Sequence, residues 1–212
     1  MKIEILDLGI NNLNSVVFAV DQTKNDQDSL KVTRFPSENK SDSRLILLPG
    51  LGSFQSGSES LNSSGLSSYI KNSLENGSYL LGICLGMALL GNSSEESKGF
   101  RGLGIIEGES KKLRKESGER VPHNGWSEVE LTKASTRFSS LSQNKDFFFV
   151  HSYEFVPKFV EDILTLTPYG ARKFVSGVKN DRAIGFQFHP EKSSTIGRKL
   201  LKDVLEWSRD EN

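Results

Sequence analysis

Cysteine is nearly absent: one residue, Cys84, in a chain of 212. An internal disulfide is therefore excluded, which suits a reducing compartment, and a thiolate metal cluster has no second ligand. Net charge is absent too, with 27 Lys and Arg against 27 Asp and Glu. No overall field draws the chain to nucleic acid or to a membrane surface. Long apolar runs are also missing. The longest, Tyr79 to Gly91, is too short and too glycine-rich to span a bilayer. Acids interrupt the first apolar stretch at Glu4 and Asp7, so no secretory leader is read there and a cytoplasmic enzyme is expected. Linkers, repeats and low-complexity tails are not seen, and residues 1–212 read as a single domain.

What is present is an ordered alternation. Ile3 to Leu8 reads as a strand, and Leu13, Val16, Val17 and Val20 then recur at helical spacing. A short strand at Lys31 to Phe35 precedes Leu45-Ile46-Leu47-Leu48, a run suited to a strand buried on both faces. Leu61 to Leu74 predicts a helix, and Tyr79-Leu80-Leu81 another buried strand. This order predicts an α/β fold with an open, mainly parallel sheet, helices on both faces and a flavodoxin-like arrangement. After Phe100 the pattern turns to antiparallel hairpins. Glu109 to Leu113 is expected to pair with Trp126 to Leu131 around Ser117-Gly118-Glu119, which makes Lys111-Lys112-Leu113-Arg114-Lys115 a solvated basic hairpin. Further strands are read at Phe147 to Tyr153, Ile163 to Thr167, Lys173 to Val178 and Ala183 to Phe188. A closing helix spans Thr195 to Trp207.

The chemistry centres on Gly82-Ile83-Cys84-Leu85-Gly86. Glycines on both sides of one reactive residue, between a strand and a helix, are the pattern of a nucleophile elbow. A thiol there lies at a helix start and at the sheet edge where open α/β proteins bind ligands. A nucleophile needs a base, and the base an orienting acid. Gln187-Phe188-His189-Pro190-Glu191 provides both beyond a strand: His189 as base, Glu191 as orienter. The other histidines, His123 and His151, lie among aromatic residues without an acid two positions on, and are read as structural or interfacial. No histidine pair has ligand spacing, so no metal and no cofactor are expected. An oxyanion would need donors: the Leu85 amide, just after the thiol, and the loop Gly50, Leu51, Gly52.

Together these segments resemble the class I, or triad, glutamine amidotransferases, and within them the glutaminase subunits of imidazole glycerol phosphate synthases. The likeness spans nearly the whole chain: Asp7-Leu8-Gly9, Pro49-Gly50-Leu51-Gly52-Ser53-Phe54, the elbow, Ser94-Glu95-Glu96, His123-Asn124-Gly125-Trp126, Phe149-Val150-His151-Ser152-Tyr153 and Gln187 to Ser193. The resemblance implies L-glutamine as substrate, Cys84, His189 and Glu191 as the catalytic residues, and Glu96, Ser152, Tyr153 and the residue at Ala88 around the substrate. It implies a heterodimer with a (β/α)8 cyclase subunit, through Asn12, Asn124, Trp126, Phe148 and Lys192. Ammonia would serve imidazole formation in histidine biosynthesis. Ala88 stands where the family carries glutamine, Asn124 where an apolar residue is usual, and Phe148 where tyrosine is frequent. These departures keep two alternatives: a paralogue supplying amidino-sugar synthesis on surface polysaccharide, or a non-catalytic partner subunit.

Overall fold

In a computed structural model the chain is described at residues 1–10, 13–115, 118–132, 138–142 and 145–209. The first strands are β1 (Lys2–Leu6), β2 (Ser29–Thr33), β3 (Leu45–Gly50) and β4 (Tyr79–Cys84). The helices are α1 (Asn14–Asp21), α2 (Phe54–Ser63), α3 (Leu66–Glu75), α4 (Leu85–Leu90) and α5 (Ser194–Arg209). The later strands are β5 (Ser93–Ser94), β6 (Gly108–Lys112), β7 (His123–Leu131), β8 (Lys145–His151), β9 (Tyr153–Pro157), β10 (Ile163–Tyr169), β11 (Arg172–Lys179) and β12 (Ala183–Phe186).

A nine-stranded sheet runs in the order β2-β1-β3-β4-β12-β11-β10-β7-β8. From β2 to β12 every pairing is parallel. From β12 outward through β11, β10, β7 and β8 every pairing is antiparallel. The parallel part has the flavodoxin-like order, and the second half adds the antiparallel extension expected from the sequence.

Strand alternation divides the core into two clusters. Ile3, Ile5, Leu45, Leu47, Tyr79, Leu81 and Ile83 face α1 and α5, where Val16, Val20, Leu200, Val204 and Trp207 meet them. Leu6, Ile46, Leu48 and Leu80 face the other way, onto Phe54, Leu61, Ile70, Met87 and Leu90 of α2, α3 and α4. Helices therefore cover both faces of the parallel sheet, as the run of buried aliphatics implied.

Three expectations need correction. The helix read from Leu61 to Leu74 is two helices. Ser53 caps α2 by accepting the Ser56 N–H, and Gly65, at φ 76°, breaks the chain before α3. A left-handed residue inside the apolar pattern is what periodicity alone did not register. Likewise, the run Phe147 to Tyr153 is two strands: β8 ends at His151, and after Ser152 β9 joins a separate three-stranded sheet, β5-β6-β9. Finally, β6 does not pair with β7. It pairs with β5 and β9, while β7 lies between β10 and β8, so the basic stretch is no hairpin arm of that kind. Ser117, within the turn expected there, lies outside the described residues.

Glycine decides how closely α4 approaches the sheet. A Cβ on Gly86 would stand 1.7 Å from the Leu48 carbonyl oxygen, and one on Gly82 2.7 Å from Gly86 backbone. A methyl group at position 86 has backbone, not a flexible side chain, in its way. Gly86→Ala should cost about 3 kcal/mol or more, since a packed core resists overpacking. Gly65→Ala, with nothing within 4 Å of the added carbon, should lose only about 1–2 kcal/mol from its positive φ. Urea denaturation of both variants checks the ranking.

Candidate active site

Cys84 ends β4 at φ 54° and ψ −108°, a conformation side-chain-bearing residues rarely adopt. The strain, of order 1–3 kcal/mol, is held by the packing of α4 just described. It turns the thiol off the sheet edge at the start of α4. The next parallel strand, β12, registers Phe186 with Ile83, which puts Gln187 beside Cys84 and His189 just beyond. Gln187 Nε2 stands 3.9 Å from Cys84 Sγ, and Sγ stands 3.9 Å from the Val150 carbonyl oxygen.

His189 is fixed from every side. Its backbone N–H donates to Phe148 O at 2.9 Å, and its carbonyl accepts from Ser193 Oγ at 2.6 Å. Pro190 opens a single 3-10 turn that returns Glu191 beneath the ring, where Oε1 meets Nδ1 at 2.7 Å. Nδ1 therefore donates to a carboxylate, which leaves Nε2, buried and with no hydrogen-bond partner, as the nitrogen available to a proton. Burial alone would push the His189 pKa down. The Cys84 thiol and the Glu191 carboxylate outweigh it and raise the ring from 6.5 to about 9. A thiol followed by an imidazole tied to a carboxylate is an arrangement that can serve as nucleophile, base and orienter.

Cys84 lies in a cavity of about 220 Å³, with Leu51, Gly52, Leu85, Ala88, Glu96, Ser152 and Tyr153 on its wall. Those are the substrate and oxyanion positions expected from the sequence, except Gly50. Gly50 lines a second cavity of about 280 Å³, with Ser15, Val16, Ile83, His189, Glu191 and Lys192. Leu51 borders both. Gly50 also lets α4 close on β3, because a Cβ there would meet Leu85 Cβ at 2.8 Å. Glu96 Oε2 accepts the Phe54 N–H at 2.7 Å, so this carboxylate braces the start of α2 while it faces the cavity. Ala88 presents only a methyl group.

Of the interface candidates, Asn124 and Lys192 are exposed, and Trp126, 52% exposed, has its ring 6.0 Å from half-buried Phe148. Asn12 lies outside the described residues. Sequence reading missed Gln187, Ser110, Val150 and His151 as parts of the cavity wall. Gln187 was legible in principle, since it stands two residues before His189, just past the end of a strand paired with β4. His151 was placed among structural residues, and it is buried between the cavity and His123. Among the described residues no group of three or more His, Cys, Asp or Glu could hold a metal ion. Nor is any described helix long and apolar enough to cross a membrane.

The fold is that of the amidotransferase class. A crystal structure of a glutamine amidotransferase superposes with a TM-score of 0.70 at 18% identity, over 97% of this chain and 98% of the other. The structure of PurLQS from Thermotoga maritima does so with a TM-score of 0.73 at 16% identity, with coverage of 97% and 98%. Sequence narrows the class: the family model for glutamine amidotransferase class-I matches residues 5–206, and the chain belongs to that family. Among curated relatives, the imidazole glycerol phosphate synthase subunit HisH of Thermotoga maritima is 37% identical over 208 residues, 98% of either chain. The protein of that name from Moorella thermoacetica is 39% identical over 207 residues, 98% of this chain and 95% of the other.

Two buried histidines, His189 and His151, titrate in opposite senses. His189, raised from 6.5 to about 9, binds its proton more tightly folded than unfolded. Its contribution to stability is complete below about pH 6.5 and is lost as pH rises through about 9. His151, pushed from 6.5 to about 3 mainly by burial, contributes stability above pH 6.5 that is lost as pH falls toward 3. Urea unfolding across this range should show the alkaline loss flattened by His189→Gln and the acid loss flattened by His151→Asn.

Proposed function

We propose that this chain is the glutaminase subunit of an imidazole glycerol phosphate synthase, hydrolysing L-glutamine and passing ammonia to a (β/α)8 cyclase subunit in the cytoplasm. The observation that carries the chemistry is Cys84 at a strained elbow beside an imidazole tied at 2.7 Å to Glu191. The assignment to histidine biosynthesis rests on the HisH relatives, at 36–39% identity over almost the full chain.

In this reading the Cys84 thiol gives its proton to His189 Nε2, and the sulfur attacks the side-chain amide carbon of glutamine. The carbonyl oxygen gains negative charge, met by backbone donors at Leu85 and around Gly52. His189 returns the proton to the amide nitrogen, the C–N bond breaks, and ammonia leaves a γ-glutamyl thioester. Water, deprotonated by His189, then attacks the thioester; glutamate departs and the thiol is restored. Glu96 faces the substrate ammonium, with Ser152 and Tyr153 at the same amino-acid end of the substrate. No cofactor is required by these steps.

The second cavity gives ammonia a place to go. It is lined by His189 and Glu191, which do not line the Cys84 cavity, shares Leu51 with that cavity, and includes exposed Lys192. Asn124, Trp126 and Phe148 lie on strands β7 and β8, close to the turn that carries Lys192, and are assigned with Asn12 to the cyclase interface. Ala88 and Asn124 favour one second reading, the same glutaminase paired with a sugar-modifying synthase. The choice of partner separates the two.

Glutamate release from glutamine by the purified chain, alone and with an imidazole glycerol phosphate synthase cyclase subunit, tests the proposal. Turnover that rises with the cyclase is expected; no release with any partner would overturn the glutaminase. Cys84→Ser should remove turnover while partner binding persists. Trp126→Ala should weaken cyclase binding by about 2 kcal/mol, as loss of an exposed aromatic anchor does, measured by titration calorimetry.

A further inference from the structure

One wall of the Cys84 cavity has no part in the steps above. His151 lines it, and His123 stands behind. The two are joined in a chain whose direction the chemistry fixes. His151 Nδ1 lies 2.9 Å from the Tyr153 carbonyl oxygen, which can only accept, so Nδ1 carries the proton. A neutral His151 then has a lone pair at Nε2. His123 Nδ1, 3.1 Å away, must donate to it. That leaves His123 Nε2 to accept from the Ser127 hydroxyl at 2.9 Å. Every proton points the same way, from Ser127 on β7 to the backbone of Tyr153.

The setting keeps both rings neutral. His123 stacks on Phe149, with centroids 4.9 Å apart, and meets Tyr169 and Phe174 edge-on. His151 packs on Phe174 at 5.1 Å. Burial pushes both imidazoles below their ordinary pKa, and a charge on His151 would also oppose His123 and His189. A ring that stays neutral there lets His189 hold the proton it takes from the thiol.

The chain ends at the place where the backbone changes sheets. β8 ends at His151 in the large sheet, and β9 begins at Tyr153 in the small one, with Ser152 alone between them. Leu113 N–H holds the Ser152 carbonyl at 2.9 Å. The His151 bond to Tyr153 O braces the corner from inside. On one side of His151 is Val150, whose carbonyl faces Sγ at 3.9 Å. On the other are Ser152 and Tyr153, on the cavity wall.

We propose that His123 and His151 are positioning residues for L-glutamine: their one-way hydrogen-bond chain holds the β8–β9 corner in the shape that receives the amino-acid end of the substrate. This rests on the reading of the cavity as the glutamine site. The imidazoles touch no reacting atom; they act through the Ser152–Tyr153 backbone. They also connect that backbone to β7, the strand that bears Asn124 and Trp126.

Alkylation of Cys84 by 6-diazo-5-oxo-L-norleucine, a diazoketone analogue of glutamine, separates positioning from reactivity. The sulfur bonds to the diazo carbon, that carbon takes up the thiol proton, and dinitrogen leaves. Intact mass gives the half-saturating concentration and the limiting rate. Iodoacetamide, which lacks the amino-acid end, reports thiol reactivity alone. His123→Phe and His151→Asn should raise the half-saturating concentration about tenfold, the worth of a lost hydrogen bond to a buried group. Both should leave the iodoacetamide rate within about twofold of wild type, on the same scale of free energies. His123→Gln, which keeps a donor toward His151, should restore most of the affinity. Unchanged half-saturation in His123→Phe, with only a lower melting temperature, would overturn the proposal and leave the glutaminase reading intact. Wild-type protein that reacts with iodoacetamide but shows no saturable labelling by the diazoketone would overturn the glutamine site, and the positioning role with it.

Discussion

The approach of α4 to strand β3 is the constraint on which the rest of the site depends. Gly86 lies so near the Leu48 carbonyl that no side chain fits, and Gly82 and Gly50 remove the remaining bulk. With the helix seated that low, the residue joining β4 to α4 has no room for an ordinary extended or helical conformation. Cys84 takes the strained one. Its thiol is raised over the sheet edge and its neighbour's N–H is left at a helix start. The place of the thiol at the cavity follows from that close contact.

Much of this was legible in the residues. Leu45 to Leu48 and Tyr79 to Leu81 read as doubly buried strands and are the centre of the sheet. The Gly-x-Cys-x-Gly spacing marks the strained strand-to-helix turn, and His-Pro-Glu marks a histidine held by a carboxylate at 2.7 Å. Legibility failed where pairing is non-local. Nothing in Phe147 to Tyr153 marks Ser152 as the point where the chain leaves one sheet for another, because that run contains no glycine or proline. The pairing of β6 with β9 rather than β7 is likewise a choice between edges distant in sequence. Gly65 could have been read as a break, because Leu61 and Leu66 on either side of it do not share one helical stripe.

The site also separates chemistry from recognition. Cys84, His189 and Glu191 are held by backbone: sheet register, the bond from His189 N–H to Phe148 O, and a proline-led turn. The cavity wall is assembled instead from side chains and corners on six segments, among them Ala88 on α4, Glu96 beyond β5, and the Ser152–Tyr153 bend. His123 and His151 belong to this second group, since they brace a bend rather than the reacting atoms.

That division bears on how such a protein can diverge. The thiol stands at the end of β4 and the imidazole three residues beyond the neighbouring parallel strand β12, so their separation is set by the register of those two strands and the short segment Gln187-Phe188. Insertions, edge strands and wall residues can be exchanged without retuning it. Lineages that took up new ammonia acceptors could therefore rebuild the antiparallel flank and the mouth of the cavity while inheriting the hydrolytic step whole. Ala88 and Asn124 are the kind of residues in which that drift would be recorded, and the elbow is where it would not.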